Sequence, residues 1–240
     1  MPLPGHSAER IRRFYTKADI APAESGFAVS LDGRAPRSPR GQSLVLPTEA
    51  LARLVAEEWA AQVEDILPAT MPATRLAWTA LATGEAGGRA SAVARIGAFA
   101  GSDLICYFAD YPASLVKHQE ARWGPVIDWA EATFGVGFAR AKGIVHRPQP
   151  PETIARLEVA AAAESDFALA GLVAAAALFG SVLLAFALAR GELTADAAFA
   201  LSRLDETFQE ERWGVDAEAA ARADSMAIEA VMLGRWFGAL

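Results

Sequence analysis

The sequence has almost no cysteine, few histidines and no surplus of positive charge. Its 240 residues include a single cysteine, Cys106, so no disulfide can form within the chain. Low cysteine usage is typical of proteins from a reducing compartment. The formal net charge is −7, whereas nucleic-acid binding requires clustered basic residues that neutralise phosphates. The N-terminal residues also lack the apolar core of a secretory signal. We therefore expect a cytoplasmic protein that does not bind nucleic acid.

The common motifs of catalysis and cofactor binding are missing as well. His6, His118 and His146 lie far apart and show no metal-ligand spacing. There is no phosphate-binding P-loop, no G-x-G-x-x-G motif that opens a helix and no G-x-S-x-G nucleophile motif. Cys106 lies in an apolar run, which favours an inert buried thiol over a nucleophile. We therefore predict no metal, no cofactor, no small-molecule substrate and no enzymatic activity.

An enzyme with an unrecognised site is the alternative that stays open. Arg75 and Asp103 lie near the predicted boundary between two domains, where they could bind small anionic substrates. A deep pocket lined by titratable groups with shifted pKa values would favour this alternative.

The segment 167–189, FALAGLVAAAALFGSVLLAFALA, contains no charged residue. It is long enough to cross a bilayer, but it lacks the flanking basic clusters and interfacial Trp or Tyr residues of most membrane anchors. Its many alanines, together with Gly171 and Gly180, would let other helices pack close to it. A helix that is apolar on all sides suits the centre of a helical domain. We therefore predict one buried helix over 166–190 and no membrane insertion.

The order of patterns along the chain predicts a β-rich region followed by helices. Residues 27–31 alternate in the manner of a strand, and the dipeptide Asp32–Gly33 that follows is a strong signal for a tight hairpin turn. From residue 47 onward, apolar residues recur at helical spacing until a cluster of glycines interrupts them near residue 86. We therefore predict an α+β fold, with a small N-terminal α+β domain over 1–86 and a mainly helical domain over 87–240.

Helical periodicity covers most of the second predicted domain. The predicted helices span 89–100, 112–134, 151–163, 166–190, 194–213 and 216–237. The last of them carries apolar residues on more than one face, although one apolar stripe is enough for a helix on the outside of a bundle. We expect the second stripe to pack against the rest of the chain or to serve a partner.

The segment 201–214, LSRLDETFQEERWG, combines an apolar stripe with a surplus of acidic residues. On a helix, Asp205 and Gln209 form one i,i+4 row, and Glu206 and Glu210 form the neighbouring row. Like charges at this spacing repel each other by roughly a few tenths of a kcal/mol. The pattern is that of a solvated helix face, and the same negative surplus would also suit contact with a basic surface of a partner. Both interpretations stay open.

Four blocks of the sequence together resemble the ATP12 family. They are GFAVSLDGRAPRSPRGQSLVLPT (26–48), PATMPATRLAWTA (68–80), GSDLICYFAD (101–110) and LSRLDETFQEERWG (201–214). The blocks occur in the family's order and span nearly the whole chain, so the resemblance is more specific than a single motif. It implies a small N-terminal α+β domain followed by an orthogonal helical bundle, in agreement with the pattern-based prediction.

The resemblance also implies a function. Members of the family are assembly chaperones that bind the free α subunit of the F1 part of ATP synthase and protect it from aggregation until the β subunit replaces them. Their functionally important acidic residue follows the SRL of the last block, which here is Asp205. On this basis, the predicted partner-binding residues are Asp205, Glu206, Gln209, Glu210 and Trp213. The lack of a convincing transit peptide suggests a bacterial member of the family.

Overall fold

The computed structural model describes residues 11–38, 40–143 and 145–240, so the prediction made for His6 lies outside the described residues. Contacts divide the chain into two units, Met1–Trp78 with Ala239 and Thr79–Gly238 with Leu240. The domain boundary between residues 86 and 87 stays a prediction.

The first unit contains a three-stranded antiparallel sheet. Its strands are β1 (Ala18–Ala23), β2 (Gly26–Leu31) and β3 (Val45–Leu46), in the order β1-β2-β3. Leu31 and Arg34 exchange backbone hydrogen bonds of 2.8 and 3.0 Å across Asp32–Gly33, and both turn residues have positive φ, 48° and 85°. The dipeptide therefore forms the predicted tight turn. Strand β1 is not apparent from the sequence, since none of its residues is buried and it contains a proline.

Two helices follow the sheet along the chain, α1 (Glu49–Ala60) and α2 (Pro72–Thr83). Helix α1 packs on the sheet through Leu51 and Val55, which have no exposed surface. Its Glu58 accepts hydrogen bonds from the amides of Ala73 and Thr74, both at 2.7 Å. A carboxylate from α1 thus satisfies amides in the first turn of α2, which have no partner within their own helix.

The second unit is mainly helical. Its helices are α3 (Gly88–Gly101), α4 (Ala113–Phe134), α5 (Pro151–Ala162), α6 (Asp166–Phe179), α7 (Val182–Ala189), α8 (Ala195–Ser202), α9 (Leu204–Trp213) and α10 (Ala217–Gly238). Two short parallel strands, β4 (Tyr107–Phe108) and β5 (Ala141–Lys142), pair beside them. The predicted fold class, a small β part followed by helices, is confirmed.

The segment predicted as one helix over 166–190 is two helices, α6 and α7. Gly180 has a φ of 63°, a conformation that ends α6, and the Ser181 hydroxyl accepts a hydrogen bond of 3.1 Å from the amide of Leu184 at the start of α7. The prediction of burial is confirmed for α7, where every residue from 182 to 187 has no exposed surface, whereas α6 exposes one side at Ala177. Among the described residues, no helix combines the length and apolar character needed to cross a membrane.

Asp103 stabilises the break between α6 and α7. Only 1% of the surface of Asp103 is exposed. Its carboxylate accepts hydrogen bonds from the amide of Leu183 at 3.0 Å and from the amide of Ile105 at 3.2 Å. The next amide, that of Leu104, donates to the Gly180 carbonyl at 3.0 Å. Backbone groups that the helix break leaves without a helical partner are therefore satisfied by residues about 80 positions earlier in the chain.

The burial of Asp103 predicts a pH dependence of stability. Burial raises the pKa of its carboxyl from 3.8 to about 6. The folded state therefore holds this proton at pH values where the unfolded chain releases it, so the contribution to stability is complete below about pH 4 and is lost as the pH rises through about 6. We expect the free energy of unfolding, measured by urea denaturation, to decrease by about 3 kcal/mol between about pH 4 and pH 6. Asp103→Asn should not show this decrease. If the free energy of unfolding depended on pH in the same way in both proteins, Asp103 would not be its cause.

The packing of α6 predicts a second effect on stability. Ala175 has no exposed surface, so Ala175→Leu should overpack the helical core and lower the free energy of unfolding by about 1–3 kcal/mol. Ala177 lies on the exposed side of the same helix, and Ala177→Leu should change stability by less than about 0.5 kcal/mol. Chemical denaturation of both variants measures the difference. Equal effects at the two positions would mean that Ala175 is not tightly packed.

Candidate partner-binding site

The acidic segment forms helix α9, which is separate from α8. The sequence predicts one helix over 194–213, but Arg203 lies between the two helices with φ −110° and ψ 18°. The Leu201 carbonyl, which a continuous helix would pair with the amide of Asp205, accepts a hydrogen bond of 2.9 Å from the indole of Trp123. The buried Trp123 of α4 thus forms a hydrogen bond with a backbone carbonyl that the helix would otherwise use, at the point where the helix is interrupted.

Asp205 is half-buried and faces α4. Its Oδ1 accepts a hydrogen bond of 2.7 Å from Nε2 of Gln119. Gln119 has no exposed surface, and its Oε1 accepts a hydrogen bond of 2.7 Å from the amide of Ala109. Burial raises the pKa of Asp205, and the hydrogen bond from Gln119 acts in the opposite direction. Asp205 therefore supports the position of α9, while its Oδ2 forms no hydrogen bond with the described residues.

The other predicted partner-binding residues divide into two groups. Glu210 Oε1 forms an ion pair of 2.7 Å with Arg203 Nη2, and both side chains are largely buried, with 27% and 15% of their surface exposed. Glu206, Gln209 and Trp213 are exposed. Residues at i, i+3 and i+7 share one face of a helix, so these three residues form an outer face, whereas Asp205 and Glu210 point to neighbours within the unit.

The end of α9 carries exposed apolar side chains. Trp213 is 78% exposed and Val215 is 61% exposed, and Gly214 between them has a φ of 87° that ends the helix. Helix α10 exposes two more apolar residues one turn apart, Ile228 and Val231. Large apolar side chains that are exposed together are typical of interaction surfaces.

Helix α10 itself belongs to the helical core. Trp236 has no exposed surface, and its indole donates a hydrogen bond of 3.1 Å to the carbonyl of Phe167 in α6. The rings of Trp236 and Phe167 stack with their centroids 6.1 Å apart. One apolar stripe of α10 therefore packs against the same unit, and the residues left for a partner are Ile228 and Val231.

A groove lies between α4 and α9, on the side of α9 away from its outer face. Its volume is ≈ 360 Å³. Ser114, His118 and Arg122 line it from α4, and Leu204, Phe208 and Arg212 are among the lining residues of α9. The sequence analysis missed this groove, because its two walls come from segments about 90 positions apart. The i,i+4 spacing of Ser114, His118 and Arg122 is the signal that could have indicated a polar stripe along α4.

The enzyme alternative loses one of its two residues. Asp103 is buried and holds backbone amides, so its carboxylate is not open to a substrate. Cys106 is buried as predicted, and burial raises the pKa of its thiol. In the part of the chain that the structure describes, no group of histidine, cysteine and acidic side chains has the geometry of a metal site.

Comparison with known proteins gives consistent matches. The family model described as ATP12 chaperone protein matches residues 12–131. The crystal structure of Atp12 from Paracoccus denitrificans is 40% identical and superposes with a TM-score of 0.86, covering 95% of this chain and 97% of that chain. A crystal structure of a protein from Agrobacterium tumefaciens is also 40% identical, with a TM-score of 0.88 over 95% of this chain and 85% of the other. The mitochondrial protein atp12 of Schizosaccharomyces pombe is 27% identical over 229 residues, which cover 89% of this chain and 76% of the relative.

Proposed function

The chain belongs to the ATP12 chaperone family, which serves assembly of the F1-ATPase, and from this premise we propose that it binds the free α subunit. In this proposal it prevents aggregation of the α subunit until the β subunit takes its place. The family consists of assembly factors rather than enzymes, so the protein acts by covering a surface of its client and not by catalysis.

The exposed end of α9 is the observation that carries the proposal. A chaperone that prevents aggregation has to cover apolar surface on its client, which requires an exposed apolar surface of its own. Trp213 and Val215 provide such a surface. Tryptophan is enriched among the residues that contribute most to binding energy, because it buries a large rigid area. We assign these two residues to the centre of the contact with the α subunit.

Acidic residues near this apolar end would orient the client. Glu206, Glu211 and Asp216 are exposed along α9 and just beyond it. Charges at the rim of an interface contribute more to association rate and to choice of partner than to affinity. We therefore propose that Glu206 and Gln209 of the outer face, together with the half-buried carboxylate of Asp205, meet a basic region of the α subunit. Asp205 and Glu210 also hold α9 in position.

Coexpression with the F1 α subunit tests the proposal directly. We expect a soluble one-to-one complex and less aggregated α subunit than in cells without the chaperone. The β subunit, added to the purified complex, should release the chaperone. An α subunit that stays soluble without any complex, or that aggregates to the same extent with the chaperone present, would contradict the proposal.

Substitution of Trp213 tests the assignment of the contact. Trp213→Ser removes a large exposed ring, so it should weaken the complex by about tenfold to a hundredfold and change the free energy of unfolding by less than about 0.5 kcal/mol. Val159 is also apolar and 62% exposed, but it lies on α5. Val159→Ser is therefore the matched control and should leave affinity unchanged. Titration calorimetry measures both, and equal affinities would remove Trp213 from the contact.

The location proposed for this function is the cytoplasm. The one cysteine of the chain is buried and reduced, which is compatible with a reducing compartment. Cell fractionation tests this location.

A further inference from the structure

The groove between α4 and α9 differs in charge from the rest of this acidic protein. The chain has a net charge of −7, whereas the groove is lined by Arg122 and Arg212 and by a single carboxylate, that of Glu211. The imidazole of His118 also lines the groove. A concave surface with more cationic than anionic side chains attracts a negatively charged group, because its walls focus the electric field of the cations.

Arg122 is the cation available for such a group. It lies exposed on α4, and it forms no hydrogen bond or ion pair with the described residues. A guanidinium group offers its donors in a planar fork that matches the two oxygens of a carboxylate. Arg122 can therefore bind a carboxylate without breaking an existing ion pair.

Arg212 is held in place before any ligand arrives. Its guanidinium lies 3.4 Å from the centroid of the Phe208 ring, and its Nη1 donates a hydrogen bond of 3.1 Å to the Phe208 carbonyl. Its Nη2 lies 3.5 Å from the Ser114 hydroxyl across the groove. A side chain that is already ordered loses less conformational entropy on binding, which favours affinity.

The rest of the groove lining is partly apolar, through Ala200, Leu204 and Phe208, and Thr207 adds a hydroxyl and a methyl group. Leu204 is almost completely buried and Phe208 is half-buried, and both line the groove beside Ala200. The volume of ≈ 360 Å³ falls within the range of about 300–1,000 Å³ that is typical of ligand pockets. Such a wall suits an apolar side chain, so the occupant has to combine apolar and acidic character.

We infer that this groove binds a segment of the client α subunit in which an apolar side chain stands next to an aspartate or glutamate. The apolar side chain packs against Ala200 and the part of Phe208 that Arg212 leaves uncovered, and the carboxylate binds Arg122 and Arg212. This inference rests on the proposed function and gives the chaperone a second contact, distinct in chemistry from the outer face of α9. Apolar surface alone would accept many partners, whereas the paired cations select a segment with an adjacent acid.

Three variants of the full chain test the inference against the purified F1 α subunit. Arg122→Glu reverses a charge of the groove, and Thr207→Trp fills the groove without changing its charge. Arg95 is an exposed arginine of α3 that does not line the groove, so Arg95→Glu is the matched control. We expect the first two variants to weaken the complex about tenfold or more and the control to bind like the wild type. Circular dichroism checks that all three remain folded.

Overlapping peptides that cover the α subunit identify the bound segment. Fluorescence polarisation with the wild type should select a peptide that has an apolar residue beside an acid, and a lysine in place of that acid should restore binding to Arg122→Glu. Wild-type affinity in both groove variants, or selection of basic peptides, would overturn the inference and leave the proposed function standing. A wild type that does not bind the α subunit would remove the proposed function and this inference together.

Discussion

Asp205→Lys is expected to abolish the proposed complex with the F1 α subunit while the chain remains folded. The substitution replaces a carboxylate by an ammonium group beside the Nε2 donor of Gln119, so both the hydrogen bond and the negative charge are lost. The lysine side chain has to turn toward solvent, which changes the surface at the start of α9. We expect the affinity to fall about a hundredfold or more, as in other close charge pairs at interfaces.

Stability has to be measured beside affinity, because Asp205 also supports the fold. Leaving the buried amide of Gln119 without its acceptor costs about 1–3 kcal/mol, which is less than the stability of about 5–15 kcal/mol of most domains. The thermal midpoint of Asp205→Lys should therefore decrease without loss of the folded state. A variant that is unfolded at room temperature would make Asp205 a structural residue and contradict the prediction.

Two further substitutions separate charge from hydrogen bonding. Asp205→Asn keeps an oxygen acceptor for Gln119 and removes the charge, so it should stay folded and bind more weakly. Asp205→Glu keeps the charge and should largely retain binding. Asp196 is an exposed acid of α8, and Asp196→Lys provides the same charge change away from α9. Wild-type affinity in Asp205→Asn would show that the negative charge is not required.

Asp103→Ala is expected to have the largest effect on stability. The substitution leaves the amides of Leu183 and Ile105 without their acceptor in a site where Asp103 itself is 1% exposed. Each buried amide that loses its acceptor costs about 1–3 kcal/mol, so we expect the free energy of unfolding to fall by about 2–6 kcal/mol for the two amides. Urea denaturation near pH 4, where the raised pKa of Asp103 has not yet lowered the stability of the wild type, measures the change.

An exposed aspartate provides the control for Asp103. Asp128 on α4 forms an ion pair of 2.5 Å with Arg140, but 67% of its side-chain surface is exposed. Surface ion pairs contribute about 0–1 kcal/mol, so Asp128→Ala should have a small effect. Similar losses for the two variants would mean that Asp103 does not hold the start of α7.

Features that depend on neighbouring residues in the chain were accessible from the sequence. The Asp32–Gly33 turn follows from the positive φ that a two-residue hairpin requires. The burial of most of the segment 167–189 follows from its lack of charge, and helices such as α4 and α10 follow from their apolar spacing. Each of these signals is contained within a few turns of one element. Physical chemistry therefore specifies them without reference to the rest of the fold.

We did not predict from the sequence that two of the helices are each divided in two. The break at Gly180–Ser181 had a local signal, a glycine before a serine cap, but the apolar run concealed it because both halves are equally hydrophobic. Asp103, which satisfies the freed amides, lies 80 positions away. The break at Arg203 likewise depends on Trp123, which is 78 positions from Leu201.

The sequence by itself determined the family, the fold class and the acidic character of α9, because these depend on composition, spacing and blocks of adjacent residues. Only the tertiary structure decided that Asp205 points to Gln119, 86 positions away, that Glu210 pairs with Arg203, and that Glu206, Gln209 and Trp213 remain exposed. Only the tertiary structure also formed the cationic groove, since it required α4 and α9 to pack side by side. A helical pattern specifies which side chains share a face, but the neighbour of that face is chosen by the packing of the whole helical core.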